Sequence, residues 1–342
     1  MSAHWSNYPK AAIRSTVQIE AIINIFMAGD GMSGTAGTAD QSGRELRVFV
    51  ANCLMGGDEI TRNGNNWIRD RVVFNCGDRR FLFRQKPEIV NNQLLQLKDR
   101  FAETTEVVVT DVAVSDLQDV LAVIDRICWL LSFVGTCRVI RFGYEYPNGS
   151  GLVSQQSVSG IGRLSRPVLD IRDGKRVKSL VEQTYDKYTQ LAQVRKLPIV
   201  IDYLAQAEVP SQVIEVKAVL AFVALECLKH TFAVEKGIRY EKGAFRKPTW
   251  VPSGKNKKSD TYTFKELVGM MLGSVNMSHN LDASYRLRNE LIHSGFSSES
   301  FNRRRELYED VYDLIREYML RLLGYRGRFA LYSNPMGDTA EI

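Results

Sequence analysis

The chain has 342 residues, a formal net charge of +6 at pH 7, 44% hydrophobic and 25% charged residues; it is too long for one helical bundle, so two domains are expected. Its 5 cysteines, Cys53, Cys76, Cys128, Cys137 and Cys227, are odd in number, widely spaced and mostly set in apolar runs, which argues against a disulfide framework or zinc site and for a reducing cytoplasm. The mild basic excess, with a pI near 9.0, is compatible with a nucleic-acid partner but does not demand one.

Ala21 to Ala28 is a short apolar run ending in Gly29-Asp30-Gly31 without a cleavage-like flank, so no signal peptide is expected. The stretch from Gly29 to Gly43, rich in Gly, Ser, Thr and Ala, reads as a flexible loop. Short runs of β-branched and aromatic residues follow at Leu46 to Val50, Arg71 to Phe74, Phe81 to Phe83 and Glu106 to Val109. Turn formers such as Asn63-Gly64-Asn65 and Cys76-Gly77-Asp78 separate them, which predicts strands. Ser115 reads as the N-cap of a helix through Leu131, with Leu117, Val120, Leu121, Ile124, Ile127, Cys128 and Leu131 on its apolar face. Asp125 and Arg126 interrupt the run from Val120 to Val134, so it does not read as a membrane span. Arg138 to Tyr144 alternates like a half-buried strand, and Pro147 to Gly151 reads as a turn.

The period becomes helical from about Lys175. Helices are predicted over Lys178 to Val194, Pro198 to Ala207, Ser211 to Phe232, Phe264 to Val275, Ala283 to His293 and Ser300 to Leu323. The last carries Leu307, Val311, Leu314, Ile315, Tyr318, Met319 and Leu322 on one stripe, with Gly324 at the C′ position. The expected fold class is α+β: a mixed, β-rich N-terminal domain over residues 1–168, an all-α antiparallel bundle over 169–330, and a tail over 331–342.

Chemistry concentrates in Arg288-Asn289-Glu290-Leu291-Ile292-His293, which sets a permanent cation, an amide and a titratable imidazole within one short helical segment. An arginine fork can neutralise a pentacoordinate phosphoryl oxygen, and a histidine near neutral pH can move the proton of a ribose hydroxyl or leaving oxygen. On a straight helix Arg286, Asn289 and His293 share a face, while Arg288 points away. Glu226 lies in the apolar run from Val213 to Leu228 and needs a partner if buried, for which Arg286 and Arg288 are the candidates; the plainer reading puts it on an exposed seam.

Between two predicted helices, Lys236, Arg239, Lys242, Arg246, Lys247, Lys255, Lys257 and Lys258 are interleaved with Tyr240, Phe245 and Trp250. Such a connection could hold a single strand by phosphate attraction and base stacking, with Lys247, Lys255, Lys257 and Lys258 as RNA contacts. Charge runs are as a rule solvated loops, but the RNA reading is preferred here because the connection belongs to the same domain as the Arg288 to His293 segment. Arg303-Arg304-Arg305 starts a helix, where cations oppose the macrodipole, which points to an anionic partner. His230 and His279 read as structural. No metal-ligand spacing, P-loop ending or Gly-x-Ser-x-Gly elbow is present, so no metal or cofactor is expected.

The Arg288-Asn289-x3-His293 segment resembles the R-x4-6-H signature of HEPN-domain ribonucleases. Tyr318-Met319-Leu320-Arg321-Leu322-Leu323-Gly324-Tyr325 resembles the closing helix of their ApeA-like anti-phage members, which also carry a glutamate where this chain has Ala224-Leu225-Glu226. The resemblance covers roughly residues 175–330. It implies a metal-independent endoribonuclease that cleaves RNA by 2′-hydroxyl attack, acting as a bacterial defence or toxin effector. It further implies catalysis by His293, Arg288 and Asn289, with Arg286 as second phosphate contact and Glu226 orienting the arginine. The family motif works in pairs, so a homodimer is implied, as is a regulatory or antitoxin protein. Antitoxin-catalysed modification in the family uses a tyrosine just before the histidine, and Ile292 stands there. The alternative expectation is a non-catalytic HEPN bundle serving as an interaction or RNA-binding module in a larger defence complex.

Overall fold

Alternation in Arg44–Ala51 (β1) buries Leu46, Val48 and Val50 on one side, and this strand forms the middle of a six-stranded sheet. The computed structural model describes residues 44–63, 66–86, 102–147, 149–152, 166–251, 260–334 and 339–342. The expected loop from Gly29 to Gly43 and the run from Ala21 to Ala28 lie outside them. Thr61–Asn63 (β2) and Asn66–Ile68 (β3) pair as a separate ribbon. Arg71–Cys76 (β4), Arg79–Gln85 (β5), Glu103–Val112 (β6), Ile140–Tyr146 (β7) and Gly149–Leu152 (β8) complete the main sheet, in the order β4-β5-β6-β1-β7-β8. Its ladders are antiparallel, with Val48 opposite both Val107 and Tyr144. Gly77 turns β4 into β5 at φ 63°, a backbone conformation that costs glycine little.

Leu117–Gly135 (α1) covers the sheet with Val120, Leu121, Ile124, Ile127 and Leu131. Ser115 is not its N-cap, as the sequence had suggested. Val114–Asp116 forms a single 3₁₀ turn before the helix, and the Ser115 hydroxyl donates to the Asp116 carboxylate at 2.8 Å instead. Gly174–Leu191 (α2) packs on both β4 and α1. It starts earlier than the apolar period predicted, because the Asp173 carboxylate accepts the Arg176 N–H at 3.2 Å. Glycine is required at its first position, where a Cβ would sit 2.2 Å from the Gly56 carbonyl oxygen.

The remaining helices are Leu197–Ala207 (α3), Ile214–Glu235 (α4), Phe264–Gly273 (α5), Asp282–Ser294 (α6) and Phe301–Leu322 (α7). Helix α4 packs against α3, α5, α6 and α7. Its small residues Ala218, Ala221 and Ala224 are buried, allowing close approach, and large Phe222, Leu225 and Leu228 fill the spaces between neighbours. The Ser300 hydroxyl caps α7 by accepting the Arg303 N–H at 3.3 Å, and Gly324 stops it at φ 78°. Tyr240–Glu241 (β9) pairs with Ala244–Phe245 (β10), and Arg328–Ala330 (β11) with Thr339–Glu341 (β12).

One hydrophobic cluster runs from Leu46 on β1 through Ile124 on α1, Leu180 on α2, Phe222 on α4 and Tyr318 on α7 to Phe329 on β11, so sheet and helices share a core. Past residue 330, Tyr332 remains buried and donates its hydroxyl to Glu208 at 2.8 Å. The buried Arg195 joins the corner before α3 to the bundle through Glu235 at 3.0 Å, Tyr318 at 2.7 Å and the Leu228 carbonyl at 3.2 Å. Among the described residues no helix is long and apolar enough to cross a membrane.

Candidate functional site

Helix α6 buries Ser284, Leu287 and Leu291, a three-to-four-residue spacing that seats one face on the bundle. Gly295 ends it at φ 78°, its N–H returning to the Leu291 carbonyl at 3.0 Å. On the flank of this seated face, Arg288 Nη2 donates to Glu226 Oε1 of α4 at 2.5 Å, and Nη1 donates to Asn289 Oδ1 at 2.9 Å. The other carboxylate oxygen of Glu226 accepts from Lys229 Nζ at 2.5 Å. Glu226 thus stands between two cations.

The ring of Phe264 supports both of them, with Arg288 Cζ 5.0 Å and Lys229 Nζ 5.3 Å from its centroid. Phe264 in turn stacks on Tyr285 at 5.6 Å and 21°. A capping box positions this ring at the first residue of α5: Thr263 Oγ1 accepts the Glu266 N–H at 3.2 Å, and Glu266 Oε2 accepts the Thr263 N–H at 2.7 Å. Lys247, which donates to Glu266 Oε1 at 2.6 Å, and the Thr263 N–H together draw the Glu266 carboxyl down to about 2.

The structure brings Arg288, Asn289 and Glu226 together and leaves Arg286 and His293 exposed on the outer side of α6. Glu226 pairs with Arg288 and not with Arg286, and it is half-buried. The straight-helix expectation that Arg288 points away from Asn289 is corrected: the carboxylate on α4 draws the long guanidinium sideways until it reaches its own neighbour's amide. Lys229 and Phe264 escaped the sequence reading. The Glu226-x2-Lys229 spacing was a usable signal for the lysine. Nothing local could reveal Phe264, which meets Arg288 only through helix packing.

The described residues of the connection after α4 include a short hairpin and buried aromatic side chains. Phe245 and Trp250 are buried, so they are not offered for base stacking, whereas Tyr240 is exposed. Arg239 and Arg246 lie over the Trp250 ring at 4.7 and 5.4 Å, and Lys247 is ion-paired with Glu266. Lys255, Lys257 and Lys258 lie outside the described residues. The arginines that open α7 find carboxylates within the chain: Arg303 with Glu306 at 2.9 Å, Arg304 with Glu215 at 3.0 Å and Arg305 with Glu309 at 2.9 Å. Their unfavourable helix position is offset internally and does not call for an anionic partner.

Burial pushes the Cys53 and Cys76 thiols up to about 12, which makes them poor nucleophiles near neutral pH. Among the described residues no group of three or more His, Cys, Asp or Glu is arranged to hold a metal ion. A cleft of about 310 Å³ at the ends of α4, α5 and α7 includes Arg195, Lys236, Arg321 and Arg326, but none of the Arg288 to His293 segment. No protein-family model, curated protein or solved structure matches the chain.

Proposed function

We propose that the chain is a metal-independent endoribonuclease of the HEPN type, acting as an effector of bacterial defence in the cytoplasm. The observation that carries this reading is the anchored guanidinium of Arg288, bonded to Glu226 and Asn289, on the same helix as an exposed imidazole at His293. In this mechanism His293 takes the proton of a ribose 2′-hydroxyl, whose oxygen attacks the adjacent phosphorus. The remaining N–H groups of Arg288 stabilise the charge on the phosphorane, and the 5′ oxygen leaves with a proton from a second imidazole. DNA lacks the attacking hydroxyl, so the substrate is RNA.

Helix geometry supports a paired site. His293 follows Arg288 by five positions, which on an α-helix is a rise of about 7.5 Å and a large rotation about the axis. With the Arg288 guanidinium held against Glu226 and His293 on the exposed side of α6, two copies of α6 related by a two-fold axis would bring an arginine and an imidazole to one phosphorus more readily than a single copy. Exposed Ile292 and Phe296 beside His293 are suited to such a contact. Incubating purified protein with RNA in excess chelator and analysing the product ends tests the reading; intact RNA at every protein concentration refutes it.

A second reading has its own support. Both Nη atoms of Arg288 are already engaged within the chain, as expected of a bundle that uses the motif for architecture and binds RNA or protein without cutting. RNA binding that persists without cleavage selects this alternative.

A further inference from the structure

We infer that Lys229 is a positioning residue of this site: by holding one oxygen of Glu226 it fixes the carboxylate whose other oxygen holds Arg288, leaving a net positive pair for an RNA phosphodiester. The inference rests on the proposed ribonuclease reading and adds to it a residue that the motif does not contain. Three observations carry it. The two ion pairs to Glu226 are equally short, 2.5 Å from Lys229 and 2.5 Å from Arg288, and they use different oxygens. Both cations lie over the same ring, that of Phe264, so a shift of one disturbs the support of the other. The Lys229 side chain is only 14% exposed, less than Arg288 at 20% and Glu226 at 29%.

That last value separates this pair from an ordinary surface contact. An exposed i,i+3 pair is loosely held and screened, and losing it changes little. A lysine side chain mostly packed away from water is held in place where its counter-charge is fixed, and here the counter-charge is the group that orients Arg288. Without Lys229, the Glu226 carboxylate keeps one anchor and regains rotamer freedom, and Arg288 regains freedom with it. With both cations present, one carboxylate leaves a charge of plus one, which matches the single negative charge of a phosphodiester. Arg288 Nε is shielded from solvent and has no partner, so its proton reports the position of the guanidinium.

The test uses the full chain labelled with nitrogen-15. The Arg288 Nε–H cross-peak is identified by its loss in Arg288→Lys, and its exchange with water is compared in wild type, Lys229→Met and Lys229→Arg, with thermal unfolding of each as a control. The expected result is a shifted, faster-exchanging cross-peak in Lys229→Met and restoration in Lys229→Arg. RNA cleavage by Lys229→Met should show kcat reduced roughly tenfold or more, as for a displaced catalytic group, with KM changed less than about twofold, and Lys229→Arg should recover it. An unchanged cross-peak in Lys229→Met overturns the inference, as does a displaced cross-peak with unchanged kcat in an active enzyme. If no protein cleaves RNA but the cross-peak moves as expected, the ribonuclease reading falls while the positioning of Arg288 by Lys229 stands.

Discussion

Arg288 on α6 and Glu226 on α4 are joined at 2.5 Å across 62 positions of sequence. The pair is 20% and 29% exposed, between the surface case that contributes little and the buried case whose disruption is severe. Glu226→Ala leaves Arg288 and Lys229 facing each other without a counter-charge. We expect a loss of about 1–2 kcal/mol in denaturant unfolding, with RNA cleavage strongly reduced. Unchanged stability would mean that the pair contributes nothing to folding.

His293 is exposed and supports no packing, so His293→Ala should change stability by less than about 0.5 kcal/mol while abolishing RNA cleavage. Arg288→Ala should also abolish cleavage, at a greater cost to folding because Glu226 loses a partner. Wild-type turnover in the His293→Ala protein would remove the imidazole from the mechanism.

The proposed chemistry requires no metal, because the 2′-hydroxyl supplies the nucleophile and Arg288 the positive charge. Cleavage should persist in excess chelator, and end analysis should find 2′,3′-cyclic phosphate or its hydrolysis products opposite 5′-hydroxyl ends. Strict dependence on magnesium with 5′-phosphate products would indicate another nuclease class.

Glu266 has a testable pH signature. Its folded carboxyl lies at about 2 instead of the usual 4.5, so it contributes stability above the unfolded value and loses it as pH falls through that window. The group is substantially exposed, so Glu266→Gln should cost only about 0.5 kcal/mol near neutral pH. Unfolding curves collected from pH 7 downward should start to approach each other for the two proteins below about 4.5 and meet only as the pH nears about 2. A constant difference across that range would show that the carboxylate charge is not what stabilises the start of α5.

If the active unit holds two copies of α6, excess His293→Ala chains exchanged with wild type should suppress activity beyond dilution. A strictly monomeric, fully active protein by sedimentation would exclude the composite site.

How far the site could be read in advance depended on the range of each interaction. Alternation at Leu46, Val48 and Val50 marked β1, and the stripe from Leu307 to Leu322, bounded by Ser300 and Gly324, marked α7; these patterns depend on groups a few residues apart. Arg288, Asn289 and His293 stood out because they set a cation, an amide and an imidazole within six residues, and Glu226 because a carboxylate is costly in an apolar helix. Sequence could not choose between Arg286 and Arg288 for that carboxylate. The choice follows from how α6 is seated on α4, and the long guanidinium reaches for the nearest counter-charge, whatever the direction of its Cβ. Phe245 and Trp250 are of the residue types that stack on bases, but Phe245 packs with Ala233 and Leu267, and Trp250 is buried with Arg239 and Arg246 over its ring. Composition and periodicity therefore marked the main strands and helices and the side chains with chemical capacity, but not the start of α1 or α2, nor β8 at Gly149–Leu152 where a turn is expected. Only tertiary packing decided which of those residues meet, because ion pairs and ring contacts between helices depend on crossing positions that no local pattern encodes.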